Sequence, residues 1–560
     1  MKQELQTVIE QAVQELFGLT VAVTLTRPDE QFGDYATNIA LQLAKPTGKN
    51  PREIAETLAV KIRENLSEQV SEVTIAGPGF INITLSDGAL AAAMGVQPGR
   101  SLEGKTVLVE YSDPNPFKPL HAGHLYTTLV GDTIARLVEA AGAKTIRLNF
   151  GGDVGLHVGK SMWAILRALG GENPAGLNDI AEADRASWLG DRYVEGNNAY
   201  EDDEAAAKAE IIAVNQRVYA LHESGDHDSP FAQIYYTTRG WSYDYFKVLY
   251  DQLQVVPFDR YIPESEVTPL GLKTVRQQLT NGVFSESDGA VVFNGEELGL
   301  HTRVFINSAG LPTYEAKDVG LSLTKWQDYH FDESIIITAN EQAQYMQVVI
   351  AAIKQFAPEP AERTHHLTHG MVKLQGGTKM SSRKGNIVTA LEILEAARQA
   401  GAAGGTNPSE ETMLAAVKYA FAKNRVGGDI VYDPQESIAL EGNSGPYLQY
   451  AHARACSILR KANTEFNNTS VISDLTAGER SLVRKISAFA EAVDVAVAER
   501  MPHHVCTYLY ELAQTFNRFY EHNRVIGDER EAVRLQLMQR YIDTLRAGLG
   551  LLGITAPEQM

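Results

Sequence analysis

Residues 106–150 read TVLVEYSDPNPFKPLHAGHLYTTLVGDTIARLVEAAGAKTIRLNF. TVLVEY is a short β-branched run ended by a Pro-rich turn, and it predicts a strand. From His121 onward Leu125, Leu129, Ile134, Leu137, Val138 and Ala141 recur at helical spacing, and Gly142 supplies the stop. KTIRLNF predicts a second strand. Strand, helix and parallel strand make the first half of a nucleotide-binding α/β sheet.

The helix start carries two histidines, His121 and His124, with Gly123 between them. Three readings compete: metal ligands, packed core rings, or an anion site. A metal pair lacks a third ligand and an HExxH-type glutamate. Between Pro116 and His124 no Ser, Thr, Asp or Asn stands ready to cap the helix. Its first N–H groups are therefore expected to be free for an anion, with the helix dipole behind them. Gly123 lets a flat ring approach the backbone.

At 560 residues, with 44% hydrophobic and 21% charged residues, the chain is a folded protein of several domains. The formal net charge of −20 argues at first against nucleic acid. The charge is uneven, however. From Ser437 to Met560 there are 13 Lys and Arg against 14 Asp and Glu, and 11 of the 13 are arginine. Such an Arg-rich tail on an acidic body can present a local basic face. The two cysteines, Cys456 and Cys506, form neither a disulfide framework nor a metal motif, which points to a reducing compartment. The opening MKQELQTVIEQAVQELFG has no signal-peptide core, and no apolar run is long enough to span a bilayer. A soluble cytoplasmic protein is expected.

Ahead of the central stretch, helix, FGDYATNIALQLAK, helix and the strand SEVTIAGPGFINITL predict a small α+β unit. From about 160 to 297 the pattern predicts helices and polar loops, with the acidic AYEDDEAAAKAE as a solvated face. The α/β signal resumes with RVFINSAG, the helix after PTYEAKDVGLSL, and the strand ESIIITAN, which predicts one sheet interrupted by an insert. After KMSSRKGN at 379–386 the chain is expected to be helical to its end. That octapeptide is a cationic loop of the kind that closes on phosphates.

Together, HAGH at 121–124 and KMSSRKGN resemble the paired ATP-binding signatures of class I aminoacyl-tRNA synthetases. VEYSDPNPFKPLHAGH, GGDVGLHVGK, LPTYEAKDVGL, GNSGPYLQYAHARACSILRK and LLGITAPEQM, in that order, are similar to segments of the arginyl-tRNA synthetase family. FGDYATNIALQLAK and AGPGFINITL resemble its extra N-terminal domain, so the likeness spans nearly the whole chain. It departs at Ser382, where lysine is most familiar, at Val154, where Trp is common, and at Tyr345, where His is frequent.

The resemblance implies a multidomain α/β protein. Residues 1–100 would form a tRNA-contacting N-terminal α+β domain. A Rossmann-type parallel-sheet catalytic domain would follow at 101–370, interrupted at about 160–297. Residues 371–436 would carry the signature loop and connecting helices, and 437–560 an all-α anticodon-binding domain. It implies an arginine–tRNA ligase that joins L-arginine and ATP to arginyl-adenylate, releasing diphosphate, and passes arginine to the 3′-terminal ribose of tRNA(Arg). A guanidinium is planar and always charged, so it needs carboxylates and oriented acceptors. By resemblance Asp318, Tyr314 and Glu264 hold it, while Asp113, Pro114, Asn115 and Gln342 complete the amino-acid site, Asn115 and Gln342 taking the α-amino group. His121, Gly123 and His124 would bind ATP together with Lys379, Met380, Ser381, Ser382, Arg383 and Lys384. His121, His124, Lys379 and Lys384 would act in catalysis, and His124 would also sit by the substrate carboxylate. Tyr447, Tyr450 and Arg454 are candidates to stack anticodon bases. Mg²⁺ would enter with ATP, with no protein metal site and no tightly bound cofactor, and a monomer is expected. Two rivals are another class I ligase or small nucleotidyltransferase, and a catalytically silent RNA-binding relative. The intact Tyr314/Asp318 segment argues against the first, and the presence of both signatures against the second.

Overall fold

The computed structural model describes residues 1–202, 205–375, 388–404, 408–462 and 472–560. Five strands form the central sheet: β1 (Thr106–Glu110), β2 (Lys144–Gly151), β3 (Arg260–Pro263), β4 (Glu333–Ala339) and β5 (Thr364–His369). They are all parallel and lie in the order β5-β4-β1-β2-β3. The sheet is covered on both faces, so Val107, Leu108 and Val109 of β1 and Ile335 and Ile337 of β4 are fully buried. The chain leaves β1 towards β2 on one side, and β4 returns on the other. That reversal opens a crevice at the carboxyl ends of β1 and β4, where such sheets bind ligands.

Helix α1 (Ala122–Ala140) follows β1 and is buried nearly all round rather than along one stripe. The sheet lies on one side, and the helices Ala390–Ala403, Glu410–Ala422, Phe489–Glu499 and Glu531–Leu551 close the other. Its buried threonines stay satisfied by bonding back along the helix, Thr127 to the Gly123 carbonyl and Thr133 to that of Leu129. Gly131 passes so close to Tyr111 that a Cβ there would lie 2.2 Å from the ring.

Three expectations change. The segment 160–297 is not only helix and loop, because β3 lies inside it and extends the sheet beyond β2. The strand within RVFINSAG, Arg303–Ile306, joins a separate three-stranded antiparallel sheet with Ser285–Ser287 and Ala290–Phe293. The chain beyond 386 is not wholly helical either. Ile430–Tyr432 pairs in parallel with Val372–Leu374. Each is a strand of only three or four residues, too short for periodicity to register.

The N-terminal α+β unit has a three-stranded antiparallel sheet in which Val70–Ala76 and Phe80–Leu85 form a hairpin. It docks on the C-terminal helices, and one apolar cluster runs through both. Asp34 pairs with Arg480 at 2.6 Å and Arg484 at 3.4 Å, and Arg27 with Glu491 at 2.7 Å. Arginines read as a basic tail are thus largely taken up in contacts within the chain.

Glu479 is the most enclosed of these acids. It closes a capping box with Thr476 and accepts from Arg530 Nε and Arg534 Nε at 2.9 Å each. Burial opposes its charge, yet the two arginines and the Thr476 N–H hold it down to about 2. Its stabilisation is therefore complete above the ordinary carboxylate range and fades as pH falls through that range towards about 2. Glu479→Gln keeps the cap but removes the enclosed charge that Arg530 and Arg534 share, leaving Asp528 as the ion-pair partner of Arg534. It should cost about 3 kcal/mol, read as lost amide-exchange protection in the helices Ala477–Ile486 and Glu531–Leu551.

Candidate active site

The turn from β1 to α1 is held in an unusual backbone. Ser112, Asp113 and Phe117 adopt φ of 76°, 46° and 70°, a region that costs a side-chain-bearing residue about 1–3 kcal/mol. Surrounding bonds offset that cost. Ser112 Oγ meets Tyr250 OH at 2.7 Å and accepts from Thr128 Oγ1 at 2.8 Å. The Phe117 N–H donates to Ser242 Oγ at 2.8 Å, and the Phe150 N–H to Asp113 at 2.7 Å.

The two histidines cap the helix themselves. His121 Nδ1 accepts the N–H groups of Gly123 at 3.1 Å and His124 at 3.3 Å, and His124 Nδ1 accepts that of His121 at 3.3 Å. The Ala122 N–H goes to the Val388 carbonyl and that of Leu125 to the His121 carbonyl. The expectation of free N–H groups at this helix start is therefore corrected: all are taken, because a histidine ring can replace the missing Ser or Asp. The rings stack with centroids 3.8 Å apart. Since both Nδ1 atoms accept backbone hydrogens, the neutral rings carry their proton on Nε2. Burial, with Lys118 and His369 nearby, pushes His121 down to about 4. Burial and the neighbouring His121 lower His124 further below the histidine range. The arrangement is a pair of neutral N–H donors held in fixed orientation.

The opposite wall is acidic. Helix α2 (Glu264–Thr280) follows β3, and α3 (Tyr314–Tyr329) packs closely across it. Gly271 and Gly320 permit this, since a Cβ at either would lie 2.0 or 2.2 Å from the other helix's carbonyl oxygens. The close approach brings Lys317 Nζ to Glu264 Oε2 at 2.5 Å and to the Val154 carbonyl at 3.1 Å. Two turns on, Lys325 reaches Glu110 at 2.7 Å. Burial pushes Glu264 above the ordinary carboxylate range and Lys317 pulls it back; the same contact raises the Lys317 ammonium against its own burial. Asp318 has no hydrogen bond or ion pair among the described residues. Burial and then the neighbouring Glu110 and Glu264 raise its carboxyl well above the ordinary range. Burial and Glu110 do the same to Asp113.

These groups meet in one cavity of about 400 Å³. Asp113, Asn115, His121, Gly123, His124, Glu264, Tyr314, Asp318 and Gln342 all line it. Pro114 is buried in the turn behind them, its carbonyl facing Gly151. Asn115 Oδ1 accepts the Gly152 N–H at 3.1 Å, and a Cβ on Gly152 would lie 2.2 Å from that oxygen. Lys379, Met380, Ser381, Ser382, Arg383 and Lys384 lie outside the described residues. Away from the cavity, Tyr447 is tied to Asn517 at 2.9 Å, Arg454 lies over the Tyr520 ring, and Tyr450 is exposed.

Sequence reasoning missed four groups. His157 donates from Nε2 to the Gly152 carbonyl at 2.7 Å, and burial pushes it down to about 3. Asp153 is a hub, accepting from Arg239 Nη1 at 2.7 Å and from the Ser265 N–H at 2.9 Å. Lys118 is a desolvated amine lowered to about 8 by burial, and Lys317 is the ion-pair partner of Glu264. All four lay in segments already singled out (VEYSDPNPFKPLHAGH, GGDVGLHVGK and LPTYEAKDVGL), and none has a local pattern that reveals its partner.

Three family models match the chain: "tRNA synthetases class I (R), catalytic domain" over residues 89–431, "DALR anticodon binding domain" over 448–560, and "Arginyl tRNA synthetase N terminal domain" over 3–85. An arginine–tRNA ligase of Lactobacillus delbrueckii subsp. bulgaricus is 31% identical, covering 96% of each chain. One from Flavobacterium psychrophilum is 29% identical over 99% of this chain and 98% of its own. The solved arginyl-tRNA synthetase of Thermus thermophilus superposes with a TM-score of 0.80 at 27% identity, covering 100% of both chains.

The capping geometry is directly measurable. Nitrogen-15 NMR should show His121 and His124 as neutral Nε2–H tautomers, with His121 titrating only near pH 4. Because folding depresses these values, their contribution to stability is present above the unfolded histidine range and is lost as pH falls through it. Ordinary titration at about pH 6.5 would mean the caps are not made.

Proposed function

The chain belongs to the class I arginyl-tRNA synthetase family, and on that premise we propose that the cavity at the carboxyl edge of the sheet is where arginine and ATP react. The enzyme is an arginine–tRNA ligase. It activates L-arginine with ATP and transfers the arginyl group to the terminal ribose of tRNA(Arg). The observation that carries the site assignment is the meeting of a half-buried carboxylate without an ion pair, Asp318, with a pair of oriented neutral imidazoles in one cavity.

Asp318 takes the guanidinium, with the Tyr314 hydroxyl and the outward oxygen of Glu264 as further acceptors. Asp113, which has a hydrogen-bonded oxygen but no cation, offers its charge to the α-ammonium beside Asn115 and Gln342. The substrate carboxylate then attacks the ATP α-phosphorus, forming the mixed anhydride as diphosphate leaves. The Nε2–H groups of His121 and His124 donate to the phosphate oxygens as charge builds there. Being fixed in advance, they reorganise little during the reaction. ATP arrives as its Mg²⁺ complex. Lys379–Lys384 serve the departing diphosphate, and Lys118 is a described cation near the histidines, whose charge depresses both. The C-terminal helices take the anticodon arm, with Tyr450 as the exposed ring for stacking, and the N-terminal unit makes a further tRNA contact. No helix among the described residues is long and apolar enough to cross a membrane.

Two outcomes are expected. A cationic ligand should return Asp318 and Asp113 to their charged forms, so arginine binding should release protons and tighten as pH rises. Calorimetry in buffers of different ionisation enthalpy measures the release; Asp318→Asn should reduce it and weaken binding by ~10²-fold or more. Unchanged affinity would place the guanidinium elsewhere. His124→Ala should lower the activation rate by ~10²–10³-fold and also weaken the helix start, because its ring caps the His121 N–H. Charging of total tRNA with each amino acid separately tests the activity itself, with arginine alone expected to be accepted.

A further inference from the structure

We propose that Lys317 is a positioning residue for arginine recognition: it keeps Glu264 ionised and turns a single carboxylate oxygen, Oε1, towards the substrate. The inference rests on the reading that this cavity takes the arginine side chain. Glu264 and Lys317 are both nearly inaccessible, with side-chain exposures of 5% and 3%. Lys317 Nζ holds Oε2 at 2.5 Å. Oε1 takes no part in that bond and lies 3.1 Å from where a Gly152 Cβ would stand, a point it shares with Asn115 Oδ1, and both residues line the cavity. The ammonium is fixed from behind by the Val154 carbonyl and by the rings of Tyr314 at 5.0 Å and Tyr219 at 5.8 Å.

A carboxyl buried this deeply goes neutral unless a cation compensates it. Among the described residues, the groups around Glu264 leave no other candidate. Asp318 and Tyr314 face it from α3, Asp153 from the β2 turn, and Tyr219 and Tyr243 from the helices Ala205–Ser224 and Pro230–Gln252. His157 approaches from the Lys317 side and is itself held neutral by burial. Among the described residues Lys317 alone brings positive charge into contact. It also removes one of the two oxygens, so the wall offers Oε1 and Asp318 as two separated acceptors. A forked guanidinium can span such a pair, whereas a compact ammonium meets one at a time.

The test is steady-state aminoacylation by the full chain, with KM for arginine followed from about pH 6 to about pH 9 in K317M, E264Q, the double variant and D318N. Buried glutamates without a cation titrate as high as about 8–9, so K317M should raise KM about 10–100-fold near neutrality with a much smaller change in kcat. Its KM should fall as pH rises and Glu264 recovers its charge. The part of that pH dependence in excess of the wild type's should vanish in K317M/E264Q, whose KM should match that of E264Q alone at every pH. The double variant buries no lone charge, so it decides the matter even where K317M is unstable. A KM in K317M that follows the wild type's across this pH range overturns the proposal, as does a further tenfold rise in the double variant over E264Q. An unchanged KM in D318N instead overturns the arginine site, and with it this inference.

Discussion

Carboxylates at the end of a fully covered parallel sheet cannot remain charged without cations, and helix α3 meets that constraint. Lys317 and Lys325 lie on it two turns apart and neutralise Glu264 and Glu110, the acids at the ends of β3 and β1. Asp318 is left between these pairs with no partner of its own. Gly271 and Gly320 make the arrangement reachable, since only bare backbone lets α2 and α3 come so close. The substrate's two positive charges complete a balance that the protein leaves short at Asp318 and Asp113, which is a physical basis for selecting an amino acid with a permanently charged side chain.

The opposite wall solves a different problem with fewer residues. A buried helix start needs its first N–H groups satisfied, and a phosphate site needs hydrogen-bond donors. His121 and His124 do both at once, accepting backbone hydrogens at Nδ1 and presenting Nε2–H outward. The strained turn before them, braced by Tyr250, Ser242 and Thr128, fixes where those donors point.

The ends of the chain are joined through charge as well as through apolar contact. Asp34 and Arg27 of the N-terminal unit meet Arg480, Arg484 and Glu491 of the C-terminal helices. The Arg-rich composition of the tail therefore reflects internal pairing as much as any RNA-facing surface.

The sequence by itself determined the α/β class, the strand–helix–strand centre, the helical C-terminal region and nine of the residues that line the cavity. Those signals are local: period, turn chemistry and short motifs act over a few residues. Tertiary structure decided the rest. The short strands Arg260–Pro263 and Ile430–Tyr432 exist because partners distant in sequence pair with them. Whether a histidine caps or coordinates depends on which backbone N–H groups surround it. Whether an acid such as Glu264 or Asp318 is compensated depends on a cation that only helix packing brings near. Pairing, burial and charge balance are properties of neighbours in space, and no local pattern encodes them.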